Sequence, residues 1–383
     1  MDKTASVLEE LYHMYQEGLF NKINLEEREL AEEPTPYEEN LKLVEDGYQL
    51  NLKYNPTLYK PYSVSKIESL KQFIIRLDHF YQSDLSLRPS LGRILNHLDD
   101  QSTFSTLVAE GDNEKLTLYS ENKFPSPNEA KLLDLLSLLK EETPLDLTIK
   151  TYTSEEICSF FSTIFLDVNL PVEIRISSRS KAKISINPSR GILTIRDNIV
   201  MNELELKRLL VHEIGVHYQR FKNGLTQKDP FLSLGLGFDY LYYEEGLAVY
   251  MEEKYNLLDV KTFNKYILRA ISTNLTSIYD FSDLYAYLRN HLSAEDAFDM
   301  TARVKRYSSD TSRLGGFTKD VVYYDGYLLV KEYLLNDPDA LDQFFAGKVS
   351  PSEFHLLSQP AIGYLTFIDT LLKSADAHFK NII

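Results

Sequence analysis

The chain has 383 residues and carries 57 Asp and Glu against 41 Lys and Arg, a formal net charge of −16. That excess argues against nucleic acid as a partner, because neutralising phosphates with cationic side chains supplies most of such affinity. A single cysteine, Cys158, excludes an internal disulfide and a metal site built from thiolates, and no apolar run reaches the roughly 18 residues that a membrane span needs.

The chain begins MDKTASVLEELYHMYQEG, charged throughout and without a cleavable apolar core, so a cytoplasmic protein is expected. Residues 1–145 read as an N-terminal helical region packed on the rest. That region is broken by the acidic stretch from Glu26 to Glu39, which holds Pro34 and Pro36, and by Asn55 to Pro61. With no Gly/Ser-rich linker and no repeat, residues 146–383 read as one catalytic core. From Thr148 to Leu170 the pattern is helical, with Cys158 a small core residue in the apolar run Ile157 to Phe165. Between Val172 and Arg196 the apolar period switches to two, through Val172, Ile174 and Ile176, then Ile184 and Ile186, then Ile192 to Ile195. The last of these short strands, Ile192 to Arg196, is the expected sheet edge for pairing with an extended peptide.

A helix of about 20 residues is predicted from about Asn202 to Lys222, and within it residues 212 to 217 read HEIGVH. Two imidazoles and a later carboxylate can hold a catalytic zinc while Glu213 activates water. The spacing is awkward, because residues five apart stand roughly 140° apart on a regular helix, too far round to share a metal. A π-type bulge between the histidines would close the gap, and Gly215 inside the interval would lower its steric cost. The carboxylate is expected from Glu244-Glu245, which open a very apolar helix running to about Tyr255. Adjacent helical residues diverge by about 100°, so only one of the two can face a metal.

Past Leu257 the pattern stays helical almost to the end, with Pro338, Pro351 and Pro360 marking turns. The stretch from Arg303 to Lys319 places five cations, Arg303, Lys305, Arg306, Arg313 and Lys319, in 17 residues of an acidic protein. Gly315-Gly316 should form a loop there, followed by a helix from about Thr318.

HEIGVH, the EEGLA segment at 244–248, and TARVKRYSSDTSRLGGFTKDVVYYDGY from Thr301 to Tyr327 together resemble the microtubule-associated tyrosine carboxypeptidase family of zinc metallocarboxypeptidases. The resemblance reaches back to Asn55-Pro56-Thr57-Leu58-Tyr59 and is strongest from Ile192 to Gly326. HExxxH alone is weak, being shared with dipeptidyl peptidase III. The resemblance implies an α+β, mostly helical fold with a gluzincin-like core, the small sheet coming before the zinc helix. It makes His212 and His217 zinc ligands, Glu213 the general base and Glu245 the third ligand, since the family's glutamate directly precedes its Gly-Leu-Ala. Glu244 is then either a partner for a ligand imidazole or a surface charge.

The reaction it implies is removal of a C-terminal residue, tyrosine or another aromatic, from a peptide or protein tail. Capture of a terminal carboxylate needs a cation, for which Arg306 and Lys319 are the first choices and Arg303 and Arg313 the next. An oxyanion donor could come from Tyr323, Tyr324, Tyr240, Tyr243 or His291. Tyrosines such as Tyr323 and Tyr324 either line a specificity pocket or are ordinary core. The charge of −16 suits the acidic tubulin surface as poorly as nucleic acid, and with zero tryptophan it suggests a bacterial relative without microtubule-binding extensions. A zinc endopeptidase, a dipeptidyl peptidase, or a non-catalytic protein that keeps the fold are the competing readings.

Overall fold

The computed structural model describes residues 88–141, 149–178 and 182–381, with Gln72, Ile75 and Ser180. The acidic stretch at 26–39, the breaks at 55–61 and the Asn55 to Tyr59 motif lie outside the described residues. In chain order the regular elements are α1 (Arg88–Glu110), α2 (Asn113–Lys123), α3 (Glu129–Leu138), β1 (Thr151–Thr153), α4 (Ser154–Asp167), β2 (Glu173–Ser177), β3 (Ile184–Asn187), β4 (Ile192–Arg196) and β5 (Val200–Asn202). Then come α5 (Glu203–Leu209), a π-helical segment (Leu210–Tyr218), α6 (Gln219–Leu225), α7 (Tyr240–Lys254), α8 (Val260–Leu275), α9 (Phe281–Leu288) and α10 (Ala294–Val304). The chain closes with α11 (Val322–Asn336), α12 (Leu341–Phe344) and α13 (Tyr364–Asn381). The fold is α+β and mostly helical, and among the described residues no helix is long and apolar enough to cross a membrane.

By contact the chain divides into two units, one of residues 1–140 and 264–324, the other of 141–263 and 325–383. In the first unit, Phe104 packs its ring against Tyr119, Tyr307 and Phe317, joining α1 and α2 to the loop that follows α10. That loop turns at Gly315, whose φ of +92° favours glycine and whose missing side chain admits Thr117.

The second unit holds both sheets. β1 pairs antiparallel with β5, Tyr152 opposite Met201. In the other sheet β4 lies in the middle, parallel to β2 and antiparallel to β3. The expectation that Ile192–Arg196 forms the open edge is therefore corrected: both its flanks are paired, as suits a strand whose Leu193 and Ile195 are wholly buried. β3 is the edge on the side of the HEIGVH segment.

α5, the π segment and α6 form one helical run, started by a capping box in which Asn202 accepts from the Glu205 amide and Glu205 accepts from the Asn202 amide. Two apolar clusters grip this run. Leu210, Ile214 and Tyr218 join Phe160, Phe161, Leu193, Ile195 and Leu371 on one side. Val211 and Val216 join Leu247, Met251, Val330, Phe344 and Ile368 on the other. Val211 and Val216, five apart, both join this second cluster, as the wider turn favours.

Candidate metal centre

The π segment spans nine residues, all buried, and contains the whole of HEIGVH. It is longer than the single-residue bulge that the spacing predicts. Its i→i+5 turn brings the His212 and His217 rings to 4.7 Å between centroids, nearly perpendicular at 85°. Gly215 is the residue expected to lower the steric cost of the wide turn. Its backbone is not left-handed, and its role is space: a Cβ there would stand 3.0 Å from Ile368 of α13.

Opposite the histidines, α7 presents Glu245. Its Oε2 lies 3.5 Å from His212 Nε2 and 3.7 Å from His217 Nε2. The three residues can each offer a ligand atom within 4.8 Å of the others, and they form the one such group among the described residues. Four ligands at about 2.0–2.1 Å in a tetrahedron stand about 3.3–3.4 Å apart, so the two histidine-to-glutamate separations are close to those of a zinc cage. Glu245 Oε2 is buried and accepts no hydrogen bond, a costly state for a carboxylate oxygen unless a cation satisfies it.

The other nitrogen of each imidazole meets a carboxylate. His212 Nδ1 stands 2.7 Å from Glu252 Oε1, which also accepts from Arg208 at 2.9 Å. His217 Nδ1 stands 2.8 Å from Glu244 Oε1, an ion-pair contact off the axis of a linear hydrogen bond. Glu244 is thus buried beside the histidine and is no surface charge. It also takes Lys348 at 2.7 Å and the fully buried Arg220 at 2.5 Å. Such outer carboxylates set the tautomer and orientation of a ligand imidazole.

Sequence reasoning missed Glu252, Arg208, Arg220 and Lys348. Glu252 had a signal, since it follows Glu245 by seven residues, two turns along the same helix face. Lys348 and the carbonyls of Phe344, Gly347 and Val349 that hold Arg220 come from a loop more than 100 residues away in the chain, beyond any local pattern.

Charge within the cluster is finely set. Burial presses the His217 imidazole towards neutral, but the Glu244 and Glu245 carboxylates outweigh it and lift the group to about 10. The two facing histidines hold Glu245 well below the usual carboxylate range despite burial. Glu213 differs: burial raises its carboxyl above the usual range, more than the imidazoles and the Ile186 amide lower it. Its Oε2 accepts from the Ile186 N–H of β3 at 3.0 Å. In the antiparallel register Ile186 N–H points away from β4, so the edge strand holds the carboxylate from the open side.

Behind Glu245, α7 crosses α11 backbone to backbone. A Cβ on Gly246 would stand 2.1 Å from the Gly326 carbonyl carbon, and one on Gly326 would stand 2.0 Å from the Tyr242 oxygen. The glycine of EEGLA and that of YYDGY thus make a single close crossing that seats Glu245. The sequence profile of the microtubule-associated tyrosine carboxypeptidase family matches residues 66–363, more than three quarters of the chain. The chain belongs to this family. No protein in a search of curated sequences matches it.

The residues in this family member that were expected to bind substrate fall in the first unit. Arg303 Nε and Arg306 NH2 reach the two oxygens of Asp320, at 2.5 and 3.1 Å, and Arg303 also donates to Tyr323 Oη at 3.1 Å. Arg269, which the sequence did not single out, stacks over the Tyr323 ring at 4.3 Å, and Tyr266 lies parallel to that ring at 5.5 Å. Asp320 is wholly buried, and despite burial the charges of Arg303, Arg306 and Arg269 hold its carboxyl far below the usual range. Burial lowers the Lys319 ammonium to about 8. Tyr324 is buried, and Arg313 is exposed beside Asp310. Lys305, one of the five cations in the segment, is internal, donating to the carbonyls of Tyr279, Arg313 and Gly315.

Proposed function

We propose that this protein is a zinc-dependent metallocarboxypeptidase with a gluzincin-like core, removing a C-terminal residue, tyrosine or another aromatic, from a peptide or protein tail. Membership of the carboxypeptidase family supports the reaction class. The observation that carries the metal is the buried Glu245 Oε2 without a hydrogen bond, facing one nitrogen of each of two imidazoles. His212, His217 and Glu245 would hold the ion, and a two-histidine, one-carboxylate set with an open position suits zinc.

Zinc bound there would supply a Lewis acid that polarises the scissile carbonyl and eases loss of a proton from water. Glu213 is the base. Its carboxylate, fixed by the Ile186 amide, receives the proton of the attacking water and returns it to the leaving amine. A carboxyl whose pKa burial has raised is better matched to both steps than a solvated glutamate. Arg306 and Lys319, then Arg303 and Arg313, are the proposed grip on the terminal carboxylate, with Tyr323 and Tyr324 beside them. Three guanidiniums act on Asp320, with Asp299 also near Arg303, and this arginine-rich cluster supports an anionic ligand.

The test pairs peptides with free and amidated C-termini on the zinc-loaded protein. Release of one residue from the free acid is expected, and amidation should cost about 10- to 150-fold through loss of a charged hydrogen bond. Glu213→Gln should keep the zinc and the fold while turnover drops about 10²- to 10⁴-fold. Equal cleavage of acid and amide, or cleavage far from the terminus, refutes the carboxypeptidase reading. Zinc-free wild-type protein that cleaves at full rate refutes the metal.

A further inference from the structure

We propose that Lys348 is a positioning residue of the metal centre, pinning the Glu244 carboxylate in the orientation that fixes the His217 imidazole. The inference rests on the metal reading above. Glu244 is held at both oxygens, Oε1 shared by His217 Nδ1 at 2.8 Å and Lys348 Nζ at 2.7 Å, and Oε2 taken by Arg220 at 2.5 Å. A carboxylate held at one oxygen only can swing about its terminal torsion, which is broad. Held at both, it cannot, and its charge stays against the His217 ring, 2.8 Å from Nδ1.

The two cations divide the work. Arg220 belongs to the frame: its Nε donates to the carbonyls of Phe344 and Gly347, its NH2 to that of Val349, and its NH1 to that of Tyr243 as well as to Glu244. Removing it would orphan that set of carbonyls and unmake the loop at 344–349. Lys348 has no such second duty, for Glu244 is the one polar partner of its ammonium among the described residues.

Its starting point is nevertheless fixed. The Lys348 amide donates to Leu232, Asn223 binds the Phe345 carbonyl, Gln227 binds that of Ala346, and Gly347 sits so close to the Leu232 carbonyl that a Cβ would stand 2.9 Å from it. The loop therefore delivers one cation, its side chain only 14% exposed, to one oxygen. The same device recurs at the other histidine, where Glu252 Oε1 is shared by His212 Nδ1 and Arg208. Each imidazole thus faces a carboxylate oxygen that a cation also holds, Lys348 from a distant loop at His217 and Arg208 from one turn earlier in the same helical run at His212.

The experiment measures zinc dissociation constants by competition with a chromophoric chelator for wild type, Lys348→Met, Glu244→Gln and the double variant, each first stripped of metal. Loss of an outer partner should weaken zinc about 10- to 100-fold in each single variant. Because Lys348 acts only through Glu244, the double variant should bind no more weakly than Glu244→Gln alone. Melting curves of the stripped proteins report folding separately, and Glu244→Gln, which keeps the side chain's shape, holds the test open should Lys348→Met fold poorly. Unchanged affinity in either single variant, or losses that add in the double, would overturn the proposal while leaving the metal site standing. Wild-type protein that takes up no zinc would overturn both.

Discussion

Gly246→Ala is the smallest change that should disturb both the stability of the second unit and its metal centre. The added methyl would stand 2.1 Å from the Gly326 carbonyl carbon and 2.2 Å from its oxygen, against ordinary contact at 3.4 Å or more. Both colliding groups are backbone, so no side chain can swing aside, and α7 and α11 must separate by roughly 1 Å. Overpacking in a well-packed core costs about 1–3 kcal/mol, and a helix-on-helix collision belongs at or above the upper end. About 3 kcal/mol corresponds to a melting temperature lower by roughly 6–12 °C for a unit of this size. The same shift carries Glu245, the next residue, away from His212 and His217. Metal–ligand distances tolerate only about ±0.2 Å, so zinc affinity should fall with stability. Thermal melts of the stripped and zinc-loaded variant read both effects, the second as a smaller zinc-induced rise in melting temperature. A variant melting within about 2 °C of wild type, with an undiminished zinc shift, would refute the reasoning.

His212→Ala, His217→Ala and Glu245→Ala should each abolish stoichiometric zinc, measured by metal analysis of the folded variants, since each removes one of three protein ligands; full occupancy in any of them removes that residue from the ligand set. Asp320→Asn should destabilise the first unit by about 3–5 kcal/mol, because it leaves Arg303 and Arg306 beside a neutral, wholly buried group. The native Asp320 pKa is depressed by those arginines, so its stabilisation is fully present above the unfolded value near 3.9 and is lost as pH falls below it. Denaturant melts of wild type and variant should therefore converge in acid, and a constant difference from pH 7 to pH 2 would contradict this.

The three residues that meet at the candidate site were legible because each sits in a short pattern with a chemical reason. Two histidines and a glutamate on one turn, and a carboxylate opening an apolar helix, need no distant information. The π segment was legible by contradiction, since a regular helix could not have brought His212 and His217 together. The strand order was not. Ile184-Ile186 and Ile192-Ile195 carry nearly the same alternation, and which of them lies in the middle depends on β2 pairing parallel with β4, a contact set by the whole unit. The cations from Arg303 to Lys319 show the other limit. Composition marks an excess of charge, yet Arg303 and Arg306 both turn on Asp320, and Lys305 is tied to three carbonyls. A charge run tells nothing of which members are already spoken for.

The π-helical turn explains why the site and the core require each other. A wide turn has poorer internal hydrogen bonding than an α-helix and persists only where something over-determines it. Here all nine residues of the segment are buried, and Leu210, Val211, Ile214 and Val216 are wholly so. Burying these four side chains fully is worth about 6–12 kcal/mol together, several times the roughly 1–3 kcal/mol that one strained conformation costs. Reverting to a regular α-helix would rotate every residue beyond the turn by about 100°, the step of one residue. Val216 would then leave the cluster it shares with Val211, and His217 would turn from Glu245 and Glu244 together. The apolar packing thus holds the histidines in register whether or not a metal is bound, and the five-residue spacing of HEIGVH is stable because Val211 and Val216 repeat it one residue earlier.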